Sequence, residues 1–397
     1  MNIVFGGVIF HESWLGGEPR VALDIAQGLI DSGQKVQTLV PRRRITVSSL
    51  AQLPKKDMFE YLMTFVNAFD VHPNLLKRYL TYLKTLKPDI VVAWFDYDSS
   101  LLYATAKAGI PAVAAVHSYY TMCPLNTLFI EGEGVCPGPS SWRCSRHILR
   151  SVGIKAILGT PIANMALGGL TMSKLGQRKK FLSGTSAIVV PSEHLKRRLV
   201  EHGITEELVN VIPNGVDVKS FRGKEYAAGK KIVFLPFTWS PEAKGYYHFL
   251  KLAKNLGIKH PDACFVSTGV TTGTGDVHAL GYIPRDCMLE LMSKAYVIVI
   301  PSIWEEPFGL TAVEAMAMGK PVVAYASGGI PEIIEDQVTG YLAKTSNIDQ
   351  LTSYVEKILS DPVAAATMGK AGRERAHKFD LGTTVRQYHE LLSRVAN

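Results

Sequence analysis

The sequence predicts two α/β domains, each a doubly wound parallel sheet with helices on both faces. The length of 397 residues corresponds to two or three domains at about 150 residues each. Short apolar runs alternate with helical-period segments along the whole chain, as in βαβ units, and the runs are too many for one sheet. A hydrophobic content of 47% with 20% charged residues excludes a disordered or low-complexity chain.

The apolar runs give the strands in chain order. The first helix is expected from Pro19, with apolar residues at helical spacing up to Leu29 and Gly33 as its end. The last helix has Tyr388, Leu391 and Leu392 on one face. The predicted strands are 3–5, 36–40, 90–94, 112–116, 187–190, 209–212, 232–235, 264–267, 296–300 and 322–325.

The chain divides near its middle. Residues 211–215 end a strand in the turn sequence Pro-Asn-Gly, and the polar stretch 221–230 looks like a linker before a new strand at Lys231. We therefore predict an N-terminal domain, 1–213, and a C-terminal domain, 214–378, with the helix in 379–397 returning to the N-terminal domain.

The net charge of +8 is concentrated in one segment. Residues 140–192 contain eight basic residues and no acidic one, so the rest of the chain nets to zero. Such a local concentration of positive charge attracts anions. Within it, 156–173 is uncharged but contains Gly and Pro, which argues against a spanning helix. Two interpretations stay open: a helix lying on an anionic membrane surface, or a solvated basic face over a core helix.

Five cysteines in the whole chain exclude a disulfide scaffold and are typical of a reducing cytosol. The N-terminus has no basic region or cleavage site of a signal peptide, and no apolar run reaches the ~18 residues of a membrane span. A cytoplasmic protein is expected. Three cysteines and one histidine within 25 positions suit a structural zinc site, or are unrelated buried thiols in a loop: Cys123, Cys136, Cys144 and His147.

Residues 296–321 carry most of the chemical information. They predict a strand, a loop and a helix that ends at Gly319 and Pro321. The start of that helix offers free amides and the positive end of a dipole, a natural diphosphate site. Glu306 in the loop and Glu314 in the helix can face the crevice at the carboxyl end of the sheet and accept hydrogen bonds from sugar hydroxyls. Taken alone, they could also be ordinary solvated or capping carboxylates.

This segment resembles the Glu-x7-Glu signature of family-four glycosyltransferases. That family has the GT-B architecture, in which two Rossmann-like domains face each other across a cleft and a C-terminal helix crosses back to the N-terminal domain. Further matching motifs lie in both halves of the chain: Gly16-Gly17-Glu18, Ala115-Val116-His117, 211–217, 279–282 and 328–332.

The resemblance implies a role for each matching residue. Glu314 would bind the ribose of a nucleotide sugar, Glu306 would lie against the donor sugar, and His117 would lie beside the reacting centre. Family members retain the anomeric configuration and need no metal for catalysis. The diphosphate and sugar would be held by Gly16, Gly17, Lys244 and the amides of Phe308, Gly309 and Leu310, and the base would be bordered by Tyr282 and Ile283.

The alternatives without a binding role are a core histidine at position 117, a plain tight turn at 16–17 and a surface lysine at position 244. One departure from the family pattern stands out. The family places an arginine a few residues before its Lys-Gly pair, and here Thr238 or Trp239 occupies that position before Lys244. Another cation substitutes for it, donor binding is weaker, or the donor differs.

The sequence therefore predicts a retaining glycosyltransferase that moves a sugar from a nucleotide-diphosphate sugar to a glycan, lipid-linked or small-molecule acceptor. The alternatives are a nucleotide-sugar epimerase or phosphorylase of the same architecture, or a non-catalytic binder of nucleotide sugars or anionic polymers. Nucleic acid is not expected, because the basic segment lacks interleaved aromatic residues. Arg42, Arg43 and Arg44 could extend the basic patch or bind anionic groups of the acceptor.

Overall fold

The computed structural model describes residues 1–7, 17–39, 71, 73–95, 99–151, 161–221, 230–237 and 239–396, without the side chains of 17, 18, 151 and 161–163. The chain forms two compact units. The first comprises Met1–Ile130, Cys136–Ile212 and Val385–Asn397, and the second Glu131–Val135 and Pro213–Thr384. The predicted division differs from these units at 131–135, Pro213 and 379–384, which the structure groups with the second unit.

The first unit is built on a six-stranded parallel sheet with the order β2-β1-β3-β4-β7-β8. Two short strands, β5 (Phe129–Ile130) and β6 (Gly134–Val135), pair separately. The sheet strands are β1 (Asn2–Gly6), β2 (Lys35–Leu39), β3 (Ile90–Trp94), β4 (Ala112–Ala115), β7 (Ala187–Val190) and β8 (Val209–Val211).

Six α-helices of the described part of the chain belong to the first unit, and so do residues 385–396 of the C-terminal helix α13 (Leu381–Ala396). Arg394 in α13 donates a hydrogen bond to the Asn210 side chain at 3.0 Å. None of the described helices is long and apolar enough to span a membrane. The six are α1 (Gly17–Asp31), α2 (Pro73–Leu86), α3 (Ser100–Ala108), α4 (Ser141–Ser151), α5 (Pro161–Ser183) and α6 (Glu193–Glu201).

The second unit is a six-stranded parallel sheet with the order β11-β10-β9-β12-β13-β14, the doubly wound order with its switch point between β9 and β12. Its strands are β9 (Lys231–Leu235), β10 (Ala263–Ser267), β11 (Val277–Ala279), β12 (Val297–Ile300), β13 (Val322–Tyr325) and β14 (Gly340–Ala343). Its helices are α7 (Tyr246–Lys259), α8 (Arg285–Lys294), α9 (Leu310–Ala317), α10 (Ile330–Ile333), α11 (Ile348–Ser360) and α12 (Pro362–Ala376).

Alternation along the strands divides the core of this unit into two apolar clusters. Phe234 and Ile298 belong to one cluster, whereas their neighbours Val233 and Val297 belong to the other. Because successive strand side chains point to opposite faces, a run of continuous apolar residues buries both faces of the sheet. This is why such runs predicted parallel strands, and all ten predicted strands are present.

Two edge strands and the small hairpin lay outside the prediction. β14 is Gly-Tyr-Leu-Ala and β11 is Val-His-Ala. Both are short and lack the β-branched runs that favour strands, so pairing with the neighbouring strand determines their conformation. The helix end at Gly319 is confirmed, since its φ of 68° is left-handed, and α1 begins at Gly17, two residues before Pro19.

Gly340 at the start of β14 provides a test of this edge. A Cβ there would lie 2.2 Å from the carbonyl oxygen of Val322 on β13. We expect Gly340→Ala to lower the free energy of unfolding by roughly 2–3 kcal/mol, because the clash is with backbone and not with a movable side chain. Gly275→Ala is the control, since nothing lies within 4 Å of its Cβ. Equal denaturation midpoints for the two variants would contradict the pairing of β14.

Candidate active site

The loops that follow β9 and β12 meet at the switch point of the second sheet. In doubly wound sheets the carboxyl ends of the strands on either side of this point border the ligand crevice. The Ile303 amide donates to the carbonyl oxygen of Ala243 at 2.9 Å, which ties the two loops together. Gly245 has φ 71°, and a Cβ there would lie 1.8 Å from the carbonyl oxygen of Pro301. Only glycine permits this approach, which places the neighbouring Lys244 against the second loop.

Lys244, Ser302 and Glu306 form a hydrogen-bonded cluster. The Lys244 ammonium lies 2.6 Å from Oε1 of Glu306, and the Ser302 hydroxyl donates to the same oxygen at 2.7 Å. Glu306 is buried, and its backbone carbonyl accepts a hydrogen bond from the Gly329 amide at 2.7 Å. Both the side chain and the backbone of Glu306 are therefore fixed before any ligand binds.

The N-terminus of α9 borders the same pocket. Gly309 precedes the helix with φ 121°, and a Cβ there would lie 2.5 Å from Cδ1 of Ile330. The first amides of a helix have no partner within it, and the helix dipole favours an anion there. The pocket is lined by Leu235, Pro236, Phe237, Lys244, Ile300, Ser302, Glu306, Gly309, Leu310, Thr311 and Ile330.

The other residues predicted for the donor site in this unit are not among those that line the pocket. Phe308 is buried and packs edge-on against Phe379, with ring centroids 5.9 Å apart, so its side chain belongs to the core. Glu314 is only 2% exposed and forms an ion pair with Arg285, the first residue of α8. Tyr282 and Ile283 lie in the loop before α8, and Tyr282 is exposed.

This arrangement combines groups suited to a diphosphate and to hydroxyl groups. A largely buried ammonium and a helix N-terminus can stabilise negative charge. Two carboxylates are held in defined positions by cationic partners and can accept hydrogen bonds from hydroxyls. Backbone and side-chain contacts hold both carboxylates in place.

Comparison with protein families assigns both halves of the chain. Residues 15–220 match the model described as Glycosyltransferase Family 4, and residues 219–375 match Glycosyl transferases group 1. The first of these matches covers more than half of the chain. The chain belongs to glycosyltransferase family 4.

Relatives and solved structures agree with that assignment. The chain is 28% identical to the MMP alpha-(1->4)-mannosyltransferase of Mycolicibacterium hassiacum, over 99% of this chain and 91% of that protein. A D-inositol 3-phosphate glycosyltransferase of Kribbella flavida is 37% identical over 31% of this chain and 29% of its own.

Two solved structures show the same GT-B fold. Sucrose-phosphate synthase from Thermosynechococcus elongatus has a TM-score of 0.68 at 19% identity and covers 99% of this chain and 98% of its own. Anabaena HepE, solved with UDP-glucose, has a TM-score of 0.67 at 19% identity and covers 99% of this chain and 100% of its own. The protein is a GT-B glycosyltransferase, and the predicted enzyme class is confirmed.

In the first unit of this glycosyltransferase, His117 follows β4 at the carboxyl edge of the sheet. Its ring stacks on Trp94 at the end of β3, with centroids 4.3 Å apart and an interplanar angle of 10°, and it is 7% exposed. The position fits a ligand-facing strand end, and the stacking fixes the ring plane. Its role at the reacting centre stays a prediction.

The cysteines predicted as metal ligands are all buried free thiols, and His147 is buried too. Burial raises the pKa of the Cys144 thiol to about 11, and the neighbouring Cys123 and Cys136 add to that shift. Burial also raises the pKa of Cys123. Among the residues that the structure describes, no group of three or more His, Cys, Asp or Glu side chains could hold a metal ion. The zinc site stays a prediction.

The basic segment contains cations in two kinds of environment. Lys174 and Arg178 are buried in the first unit, where Arg178 lies 3.7 Å from the ring centroid of Tyr120 and donates to its carbonyl oxygen at 2.9 Å. Arg146 and Arg150 on α4 are exposed. Gly17 begins α1. Gly16, Thr238, Lys155 and Arg42 to Arg44 lie outside the described residues.

Sequence reasoning missed three side chains that complete the site. Ser302 lies four positions before Glu306 in one loop, so its hydroxyl could have been proposed from proximity. Arg285 is 29 positions from Glu314, and nothing in the spacing indicates their pairing. Trp304 packs against Lys244, with the ammonium 4.9 Å from its ring centroid. This contact forms only because the two loops meet, so sequence spacing does not indicate it.

The ion pair of Arg285 and Glu314 can be tested by a double-mutant cycle. We expect Arg285→Met to lower the free energy of unfolding by roughly 2 kcal/mol, because a buried carboxylate loses a charged hydrogen-bond donor. Arg285→Met/Glu314→Gln should lose less than the sum of the single variants. The control is Lys259→Met, which breaks an exposed pair with Glu356 and should change stability by under about 0.5 kcal/mol. Additive single effects would contradict the pairing.

Proposed function

We propose that the enzyme is a retaining glycosyltransferase whose donor is a nucleotide-diphosphate sugar bound in the pocket of the second unit. The observation that supports this most is the Lys244, Ser302 and Glu306 cluster beside the N-terminus of α9. A cation and helix amides suit the diphosphate, Glu306 suits the hydroxyls of the donor sugar, and Glu314 suits the ribose.

The chemistry that these residues supply is mainly stabilisation of the leaving group. When the bond from the sugar to the diphosphate breaks, negative charge accumulates on the phosphate oxygens. The α9 amides, and the Lys244 ammonium once it has left Glu306, would stabilise this charge and so lower the barrier. With the ammonium on the phosphate, the Glu306 carboxylate is available to position the sugar.

The names of related proteins indicate which class of substrate to expect. HepE was solved with UDP-glucose, and one mannosyltransferase relative from Corynebacterium glutamicum is named as GDP-mannose-dependent and acts on a phosphatidylinositol monomannoside. For this enzyme we therefore expect a hexosyl donor and a glycan or lipid-linked acceptor. The family assignment supports the proposed retention at the anomeric carbon, and His117 is the residue of the first unit that we assign to the reacting centre.

A thermal-shift screen of UDP, GDP, ADP and their sugars tests the donor site. A ligand that binds only the folded protein raises its melting temperature by mass action. We expect one nucleoside diphosphate series to stabilise the wild type by several degrees, and Glu314→Ala to abolish that shift. The variant should still unfold cooperatively, which circular dichroism checks.

Stabilisation of Glu314→Ala to the wild-type extent would refute the ribose assignment. Once the donor is known, proton NMR of the first product formed distinguishes retention from inversion. Turnover of donor without an acceptor to an epimeric nucleotide sugar would instead indicate the epimerase alternative, and dependence on inorganic phosphate the phosphorylase.

We also propose that α4 docks the enzyme on the cytoplasmic face of an anionic membrane. Trp142, Arg146 and Arg150 are spaced four residues apart along α4 and are exposed, and Met165 on α5 is 70% exposed. An aromatic residue at one end of a basic helix face suits the interface of an anionic bilayer. All five cysteines are free thiols, as expected in a reducing compartment.

Vesicle sedimentation tests the docking face. We expect binding to vesicles of phosphatidylglycerol and phosphatidylcholine but not to phosphatidylcholine alone. Arg146→Gln/Arg150→Gln should weaken binding by about tenfold or more, since each juxtamembrane cation contributes about 1 kcal/mol. Ile258→Ala, an exposed apolar position of the second unit, is the control. Equal binding to both vesicle types, or no binding by the wild type, would contradict the proposal.

A further inference from the structure

The cation of the proposed donor site is enclosed by two tryptophan rings. The Lys244 ammonium lies 5.3 Å from the ring centroid of Trp239 and 4.9 Å from that of Trp304. The two rings meet edge to face, with centroids 4.8 Å apart and an interplanar angle of 86°. The lysine side chain is only 17% exposed. We call Trp239, Trp304 and Lys244 the tryptophan–lysine box.

Both distances are within the range of a cation–π interaction, and tryptophan offers the strongest ring face for it. The interaction is stronger for a desolvated cation than for an exposed one. In the ligand-free protein the ammonium also pairs with Glu306. If Glu306 turns to the hydroxyls of a donor sugar, the two rings are the contacts that keep the ammonium in place.

We propose that Trp239 is a positioning residue that holds Lys244 over the diphosphate through this box, in place of a second cation at that point of the loop. This inference rests on the proposed donor site. Trp239 follows β9 and occupies one of the two positions where a second cation was expected from the resemblance. A neutral ring face adds no charge, but it reduces the freedom of the one cation that is there.

If Trp239 only supported the fold, its replacement would lower the melting temperature and weaken diphosphate and monophosphate binding alike. Trp304 is 7% exposed and belongs to the interior, whereas Trp239 is partly exposed. Replacing a partly exposed ring by a smaller apolar side chain costs less stability than the same change at a buried position. A selective loss of affinity for the diphosphate at unchanged melting temperature would therefore be due to Lys244 and not to the fold.

The experiment compares nucleoside diphosphates with monophosphates by calorimetry, using UDP with UMP and GDP with GMP. We expect Trp239→Leu to weaken binding of the preferred diphosphate about tenfold, within the range of desolvated cation–π energies. Binding of the matching monophosphate should change less than twofold. Trp239→Phe, which restores a weaker ring face, should recover part of the loss. In turnover, kcat/KM for the donor should fall, with a loss in kcat as well as a rise in KM, because Lys244 also stabilises the leaving diphosphate.

A second lysine of the same unit provides a matched control. Lys357 lies 5.7 Å and 5.3 Å from the ring centroids of Tyr341 and Tyr354, which stack on each other at 4.7 Å. Tyr341→Leu removes one face of that lysine and does not touch the pocket. It should leave both nucleotide affinities unchanged.

NMR of the protein without nucleotide tests the tryptophan–lysine box independently of donor binding. After reductive ¹³C-methylation, the Lys244 signal, assigned by its loss in Lys244→Arg, should be displaced upfield by the two rings and return toward the other lysines in Trp239→Leu. Wild-type diphosphate affinity in Trp239→Leu, or equal losses for the diphosphate and the monophosphate, would overturn the box alone. If the wild type binds no nucleoside diphosphate, the proposed donor site fails and the box fails with it.

Discussion

The contact of Gly245 with the carbonyl of Pro301 is the constraint on which the active site depends. A Cβ at Gly245 would lie 1.8 Å from that oxygen, so any other residue would separate the loops that follow β9 and β12. Because those loops touch, Lys244 reaches Glu306 and Ser302, and Trp304 reaches Lys244. The sheet supplies the switch point, but this backbone contact determines which side chains meet there.

Both signature carboxylates of the second unit are paired with cations. Glu306 pairs with Lys244 and Glu314 with Arg285. Removing charges from water is costly, and such pairs recover that cost only in good geometry. In the proposed complex the diphosphate would take the place of Glu306 at Lys244, and hydroxyl groups of the donor would donate hydrogen bonds to the carboxylates. The pairs thus keep the carboxylates ordered in a form that a donor can displace.

The sequence predicted those parts of the molecule that local patterns determine. The central strands, the helix end at Gly319 and the grouping of Lys244, Glu306, Gly309 and Leu310 in one pocket follow from apolar runs, turn residues and a signature motif. The edge strand β14 and the partners of the carboxylates could not be predicted in this way. They depend on approach between segments far apart in sequence, as when Arg285 at the start of α8 meets Glu314 in α9.

In the basic segment, a count of charges predicts a positive electrostatic field but not where on the fold each charge lies. All eight cations of 140–192 contribute equally to the sum, yet Lys174 and Arg178 are buried and Arg146 and Arg150 are exposed. On α5 the two buried cations are four residues apart, as Thr171 and Leu175 are, and these four form one inward face. Of these four cations, only the exposed pair on α4 can meet a membrane. The proposed docking therefore depends on Arg146 and Arg150 of α4, whereas Lys174 and Arg178 of α5 are buried in the unit and Lys180 of α5 is exposed.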